Sequence, residues 1–237
     1  KIEHDIVVVK DDSKTDDIED TIDSNQDIEE EKFTTLGPIG ISNKYKIPPL
    51  TKATLISNYR QLIKNGELKE DKKFAQLLTK RAVRTMSGVS VITVLSKPFV
   101  CPGKCVYCPT EPDMPKSYLS NEPAAMRAKL NLFDAFRQVT MRIKALENNG
   151  HEVDKLEVLI LGGTWSVYPE KYQQEFVRDL FYAANVFGQE EQREKLSLAE
   201  EQKINEDTKY KIIGLTLETR PDFISETEIK KMRTLGC

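Results

Sequence analysis

Three short apolar runs decide the fold class. SVITVL (90–95), KLEVLILGG (155–163) and KYKIIGLTLET (209–219) are rich in β-branched and aliphatic residues, and each precedes a segment with helical periodicity. Such runs read as buried strands. Strand followed by helix, three times over, argues for parallel strands joined by crossover helices. Three strands do not close a barrel. The pattern is therefore an open sheet or part of a larger α/β fold.

The helical segments carry their own signals. Asn121 and Pro123 mark the start of a long helix whose apolar face is Phe133, Phe136, Val139, Ile143 and Leu146, and Asn149-Gly150 ends it. YPEKYQQEFVRDLFYAANVFG comes after the second strand, with Tyr172, Phe176, Leu180 and Ala184 on one side. Residues 189–208 are highly charged and read as an exposed helical insertion. Ser225 and Glu228 have capping-box spacing before a last helix, and Cys237 reads as an ordinary buried thiol.

The N-terminal third has a different character. Residues 1–35 are dominated by acids and read as a disordered arm, too poor in apolar residues to offset the entropy of ordering. Residues 37–50 are a connector punctuated by Gly and Pro. Two helices are expected next. Thr51 caps the first, with Leu55, Tyr59, Leu62 and Ile63 on one face and Gly66 at its stop. The second spans about 71–81, with Phe74, Leu77 and Leu78 inward and Lys72, Lys73, Lys80 and Arg81 outward. This divides the chain into an acidic arm (1–35), a basic helical module (36–85) and an α/β domain (86–237).

Charge follows the same division. The net charge is −3, yet residues 1–32 hold 4 lysines against 13 acids, and residues 33–100 hold 12 basic residues against 3 acids. A basic segment of that density suits a polyanion partner or a solvated helical surface. No apolar run approaches the roughly 20 residues that span a bilayer. The acidic, polar N-terminus does not read as a signal peptide, and sparse, clustered cysteine fits a reducing compartment, here the cytoplasm.

Three of the four cysteines fall in CPGKCVYCP (101–109), directly after the first strand. Cys101-x3-Cys105-x2-Cys108 leaves one thiol over if two pair as a disulfide. A structural zinc site would want a fourth ligand, and neither His4 nor His151 is placed to give it. A [4Fe–4S] cluster bound by three thiolates keeps one iron open, and the spacing favours that reading over zinc or a structural thiol cluster.

This spacing, with an aromatic residue before the last cysteine, resembles the radical S-adenosylmethionine superfamily. There the three cysteines hold the cluster and the open iron chelates S-adenosylmethionine, whose cleavage gives a 5′-deoxyadenosyl radical. The resemblance puts Tyr107 near the adenine and matches Gly162-Gly163-Thr164 to a GGE-type motif, with Thr164 where an acid is more usual. RTMSGVSVITVLSKPFVCPGKCVYCP (84–109), MPKSYLSNEPAAMRAK (114–129), GHEVDKLEVLILGGTWSVYP (150–169) and GLTLETRPDF (214–223) are similar to the Elongator protein 3 family, most closely its bacterial and archaeal type.

That resemblance implies an incomplete TIM-like barrel of parallel βα units. It implies carboxymethylation at C5 of the tRNA wobble uridine (U34), with S-adenosylmethionine as cofactor and acetyl-CoA as acetyl donor. It places the cluster on Cys101, Cys105 and Cys108, and an acetyl-CoA contact on Lys155. Glu218 and Arg220 become contacts to S-adenosylmethionine or acetyl-CoA. Lys72, Lys73, Lys80, Arg81, Arg84, Lys97, Lys104, Lys116 and Arg127 are candidates for holding the anticodon stem-loop. Full-length relatives continue into the rest of the barrel and an acetyltransferase domain, so the chain is expected to be an N-terminal fragment with incomplete activity of its own. Elongator-like subunits or a second copy are expected partners, and no membrane. A different radical S-adenosylmethionine enzyme, or a non-catalytic tRNA-binding module, are the alternatives.

Overall fold

The computed structural model describes residues 50–237 continuously, with 43, 44, 46 and 48 before them. The acidic arm and most of the connector lie outside the described residues. Two compact units are present, one within Lys1–Lys80 and Asn148–Gly150, the other comprising Arg81–Glu147 and His151–Cys237.

The first unit is built on two helices, α1 (Lys52–Lys64) and α2 (Lys72–Leu78). Thr51 caps α1 by accepting from the Thr54 amide at 3.1 Å. Asp71 caps α2 by accepting from Lys73 and Phe74 at 2.8 and 3.2 Å. The apolar faces meet through Ile56, Tyr59 and Leu78, and the Tyr59 ring meets Phe74 edge-on at 5.0 Å. The second helix is shorter than its periodicity suggests. Thr79 turns extended, and Arg81 takes a left-handed conformation with φ 57°.

The second unit holds β1 (Ser90–Leu95), β2 (Lys155–Leu161) and β3 (Lys211–Leu217), all parallel and in the order β1-β2-β3. Consecutive order without reversal is that of a barrel segment. One half of a doubly wound sheet has the same order, its switch point arising only where a fourth strand joins. Helices α3 (Pro123–Leu130) and α4 (Ala135–Asn148) lie between β1 and β2. Helices α5 (Glu170–Val186) and α6 (Leu198–Asn205) lie between β2 and β3, and α7 (Glu226–Leu235) ends the unit. Ile92, Val94, Leu156, Val158 and Ile160 pack against Val139 and Ile143 of α4 and Phe176, Val177 and Leu180 of α5.

Four expectations are corrected. Burial is uneven between the two faces: Val91 is 44% exposed and Ile213, at the register shift opposite Leu156/Glu157, 55%, yet Leu95 on the Val91 face is buried against Ala125 and Ala128 of α3. The single long helix from Asn121 is two helices. Leu132 and Phe133 adopt positive φ, which lets Phe133 join Leu95, Met114, Ala125 and Ala128, and Asp134 then caps α4 through the Arg137 amide at 2.8 Å. The charged insertion is not wholly exposed, since Glu201 and Asn205 are buried. Glu201 accepts from Arg193 at 2.6 and 2.7 Å, from Asn185 at 2.8 Å and from the Leu196 amide at 3.0 Å. The full capping box falls at Ser197 and Glu200, whereas Ser225 caps α7 through the Glu228 amide alone.

Burial pushes the Glu201 carboxyl up, but Arg193, Leu196 and Asn185 together hold it below the usual carboxylate range. A carboxyl lowered on folding stabilises the fold above its unfolded value, near 4, and that contribution is lost as pH falls through the lower folded value. Glu201→Gln is therefore expected to cost about 2–4 kcal/mol at pH 7. Urea unfolding should show the gap between variant and wild type narrowing below about pH 4. An equal gap at pH 7 and pH 3 would show that the charge contributes nothing.

Candidate functional site

The C-terminal ends of the strands converge on one region, where βα loops ordinarily build sites. The exit of β1 is held from two directions. Gln138 of α4 pairs its side-chain amide with the Leu95 backbone, accepting from N and donating to O, both at 2.9 Å. The Ser96 amide donates to the Leu161 carbonyl at 2.9 Å, extending the β1–β2 ladder by one residue. Tyr168 then donates to the Lys97 carbonyl at 2.7 Å, and Tyr172 accepts from the Lys97 amide at 3.0 Å. Phe99 stacks on Tyr168 at 4.8 Å, and Tyr168 on Tyr172 at 5.1 Å.

Past this anchored stem the cysteine loop opens out. All three of its cysteines are free thiols. Cys105 is exposed, and Val100, Val106 and Tyr107 stand 77%, 101% and 89% exposed, so the loop presents an apolar rim to its surroundings. Cys101 and Cys108 are half-buried. The Cys101 sulfur lies 3.3 Å from the Thr164 hydroxyl and accepts from the Gly103 amide at 3.4 Å. Burial pushes the Cys101 thiol up, but the Thr164 hydroxyl, the Gly103 amide and the Arg220 guanidinium together bring it below its ordinary value. The Cys108 sulfur meets the Ser117 hydroxyl at 2.8 Å. Among the described residues, no three His, Cys, Asp or Glu side chains are gathered closely enough to hold a metal ion as they stand.

The turn after β2 sits beside this loop. Gly162 and Gly163 have φ of 142° and 93°, and a Cβ at Gly162 would fall 2.0 Å from the Ser96 hydroxyl oxygen. Glu218, at the end of β3, accepts from the amides of Gly162 and Gly163 at 2.9 and 3.2 Å and from the Tyr118 hydroxyl at 2.7 Å, all at one carboxylate oxygen. Burial and the Glu218 carboxylate both raise the Tyr118 hydroxyl, keeping it a neutral donor.

Arg220 forks onto Asp222 at 2.7 and 2.9 Å, which raises its already high value. Its Nη1 is buried with no hydrogen-bond partner. A Cβ at Gly103 would meet that nitrogen at 1.7 Å, so the glycine is what lets the guanidinium lie against the cysteine loop. An unpartnered cationic nitrogen beside three free thiols fits an anionic thiolate-bound group. This is the donor chemistry of an iron–sulfur cluster.

Lys155 does not join this group. It opens β2, about 20 Å along the strand from the glycine turn at 3.3 Å per residue. The basic candidates divide between the units. Lys72, Lys73 and Lys80 are exposed in the first. In the second, Arg81, Arg84, Lys97 and Lys104 are exposed, while Lys116, which donates to Thr110, and Arg127 are half-buried. Ser117, Tyr118, Tyr168 and Tyr172 contribute to the site without any sequence spacing that marks them.

No family model matches the chain. Curated relatives do. It is 41% identical over 183 residues to a protein named tRNA uridine(34) acetyltransferase from Methanocaldococcus infernus, covering 75% of this chain and 33% of that protein. It is 40% identical over 159 residues to the protein of that name from Dehalococcoides mccartyi, with coverage of 66% and 33%. It is 37% identical over 171 residues to human Elongator complex protein 3, with coverage of 68% and 30%. The chain thus spans about a third of the length of the curated relatives it matches. Among solved structures, the archaeal Methanocaldococcus infernus Elp3 with an N-terminal deletion aligns with a TM-score of 0.47 at 33% identity, covering 63% of this chain and 27% of that one.

The glycine turn makes a direct prediction. Gly162→Ala is expected to destabilise the second unit by about 1–3 kcal/mol through its left-handed φ and the clash with Ser96. Gly214→Ala, whose Cβ would make an ordinary 3.6 Å contact with Glu157, should be close to neutral. Chemical denaturation of both variants checks this. Equal midpoints would mean the turn is not under the constraint described.

Proposed function

Over the stretch it shares with these relatives the chain belongs to the Elongator protein 3 family, and we propose that it carries part of the active site of an enzyme that modifies C5 of the tRNA wobble uridine, U34. The observation that carries this reading is the cysteine loop, with the unpartnered Arg220 nitrogen against it and the glycine turn beside it. Cys101, Cys105 and Cys108 would hold a [4Fe–4S] cluster. Such a cluster, with one iron open to S-adenosylmethionine, supplies one-electron chemistry for joining a two-carbon unit from acetyl-CoA to C5 as a carboxymethyl group.

The protein's own contributions are positional and electrostatic. Arg220, paired with Asp222 through its other nitrogens, offers its remaining Nη1 donor to an anionic group at the loop. Thr164 keeps its hydroxyl at the Cys101 sulfur. Glu218 is occupied by the glycine amides and Tyr118, so it supports the cofactor site by shaping the turn rather than by touching a ligand with that oxygen. Tyr107 is fully available to stack on a nucleobase. A contact of Lys155 with acetyl-CoA would engage a part of that long molecule far from the cysteines.

The basic residues would hold the anticodon stem by its phosphates while an unpaired uridine is presented to the site. Elongator-like subunits or a second copy are the partners this reading implies, and the cytoplasm its compartment. Among the described residues no helix is long and apolar enough to cross a membrane.

Anaerobic reconstitution followed by iron and sulfide analysis and EPR tests the reading. About four irons per chain are expected, with a reduced-cluster signal that changes when S-adenosylmethionine is added and that Cys105→Ala abolishes. Stoichiometric zinc, or a folded sample that takes up no iron, would sink it.

A further inference from the structure

Three arginines of the second unit form a group separate from the cysteine loop. Arg84 lies in the 3₁₀ turn Ala82–Thr85 that leads into β1. Arg127 lies on α3 and Arg142 on α4. The turn bearing Arg84 is fixed by the Thr85 hydroxyl, 2.9 Å from His151 Nδ1. Arg142 stands one helical turn beyond Gln138, the residue that grips the end of β1, so the group flanks that strand.

Their environment is unusual for arginine. The Nε atoms of Arg127 and Arg142 are buried and have no hydrogen-bond partner. None of the ion pairs among the described residues involves any of the three. Burial lowers Arg127, and Arg84 lowers it further by repulsion. Burial likewise lowers Arg142, with repulsion from Arg127 and Arg84 added. Arg127 and Arg142 are thus partly desolvated and, with the exposed Arg84, are near enough to repel one another, and no carboxylate among the described residues pairs with them. Left without an anion, that arrangement is costly.

We propose that Arg84, Arg127 and Arg142 form a phosphate-binding site. A tetrahedral oxyanion with at least one full charge can accept from several guanidinium forks at once and supply the missing counter-charge. The phosphate comes from an RNA backbone or from a nucleotide such as coenzyme A. Its assignment to RNA rests on the tRNA reading above, and its assignment to phosphate does not.

The test uses the full chain and two probes. Binding of a fluorescent anticodon stem-loop is followed by anisotropy across a salt series, and thermal melting is followed with and without inorganic pyrophosphate. Arg142→Gln is expected to weaken stem-loop binding about 5–20-fold and to lower the salt slope by about 1. Pyrophosphate should raise the melting temperature of the wild type more than that of the variant. Without phosphate, Arg142→Gln should melt no lower than wild type, because it relieves repulsion. A purely structural arginine would lower it.

Arg127→Gln repeats the test from a second position if the first variant does not fold, and Arg142→Lys should retain part of the affinity. If the stem-loop fails to bind even wild type while pyrophosphate stabilises wild type alone, the phosphate site stands and the tRNA reading falls. Competition by coenzyme A then identifies the nucleotide source. If neither probe distinguishes Arg142→Gln and Arg127→Gln from wild type, the proposal is overturned.

Discussion

One carboxylate oxygen joins the parts of this site. Glu218 closes β3, and it draws in the turn after β2 through two amides and the segment before α3 through Tyr118. The Trp165 amide in turn donates to the Glu218 carbonyl at 3.0 Å, so the same residue also anchors the short 3₁₀ turn Trp165–Val167. Three donors converge on one carboxylate oxygen, and their convergence fixes its position relative to both segments. These bonds hold Gly162 and Gly163 in conformations that a residue with a Cβ would resist. Thr164 then falls in place to meet Cys101. An acid placed inside the turn, as in the GGE-type motif, is thus not the only way to bring a carboxylate there. Here the neighbouring strand delivers it.

The cysteine loop takes its order from its ends rather than from itself. At its start, the Phe99–Tyr168–Tyr172 stack and the hydrogen bonds to Lys97 tie it to the second βα connection. At its far end, Ser117 meets Cys108, and Lys116 reaches back to Thr110. Between these anchors the described contacts are few, chiefly the Cys108 amide on the Cys105 carbonyl at 3.3 Å and the Gly103 amide on Cys101. A loop so held can rotate its thiols toward a common ligand without disturbing β1. Residue-level order around it comes from aromatic side chains far apart in sequence, which explains why no local motif marks them.

The features legible in the sequence were those that local patterning controls. β-branched runs placed β1 at residues 90–95, and periodicity with Thr51 found α1. Clustered thiols and a double glycine marked two loops that the sheet brings side by side. The features that were not legible depended on partners distant in the chain. The break at Leu132–Phe133 arises from a pocket lined by Leu95 and Met114. The burial of Glu201 arises from Arg193 and Asn185 wrapping it, whereas charge density alone reads as exposure. Arg142 looks like an ordinary helix-surface residue until Arg84 and Arg127 are placed against it. The strands read as buried throughout because hydrophobicity reports the capacity to be covered, and here α3 covers the second face of β1 only at its Leu95 end.

The charges are sorted by use. Several of the second unit's acids are engaged internally: Glu201 by Arg193, Glu218 by backbone amides, Asp222 by Arg220, and Glu147 by Tyr210 at 2.7 Å. Each acts as a strut between segments. Several arginines keep a donor without a partner. Arg220 keeps one buried nitrogen free at the cysteine loop, and Arg127 and Arg142 keep theirs free beside β1. A folded chain does not leave partly desolvated cationic donors unpaired without cost, since each forgoes the hydrogen bond it would make in water. Their persistence on both flanks of β1 is therefore best accounted for by anions that are not among the described residues. One would be held at the end of the strand among the thiols, and the other along its side.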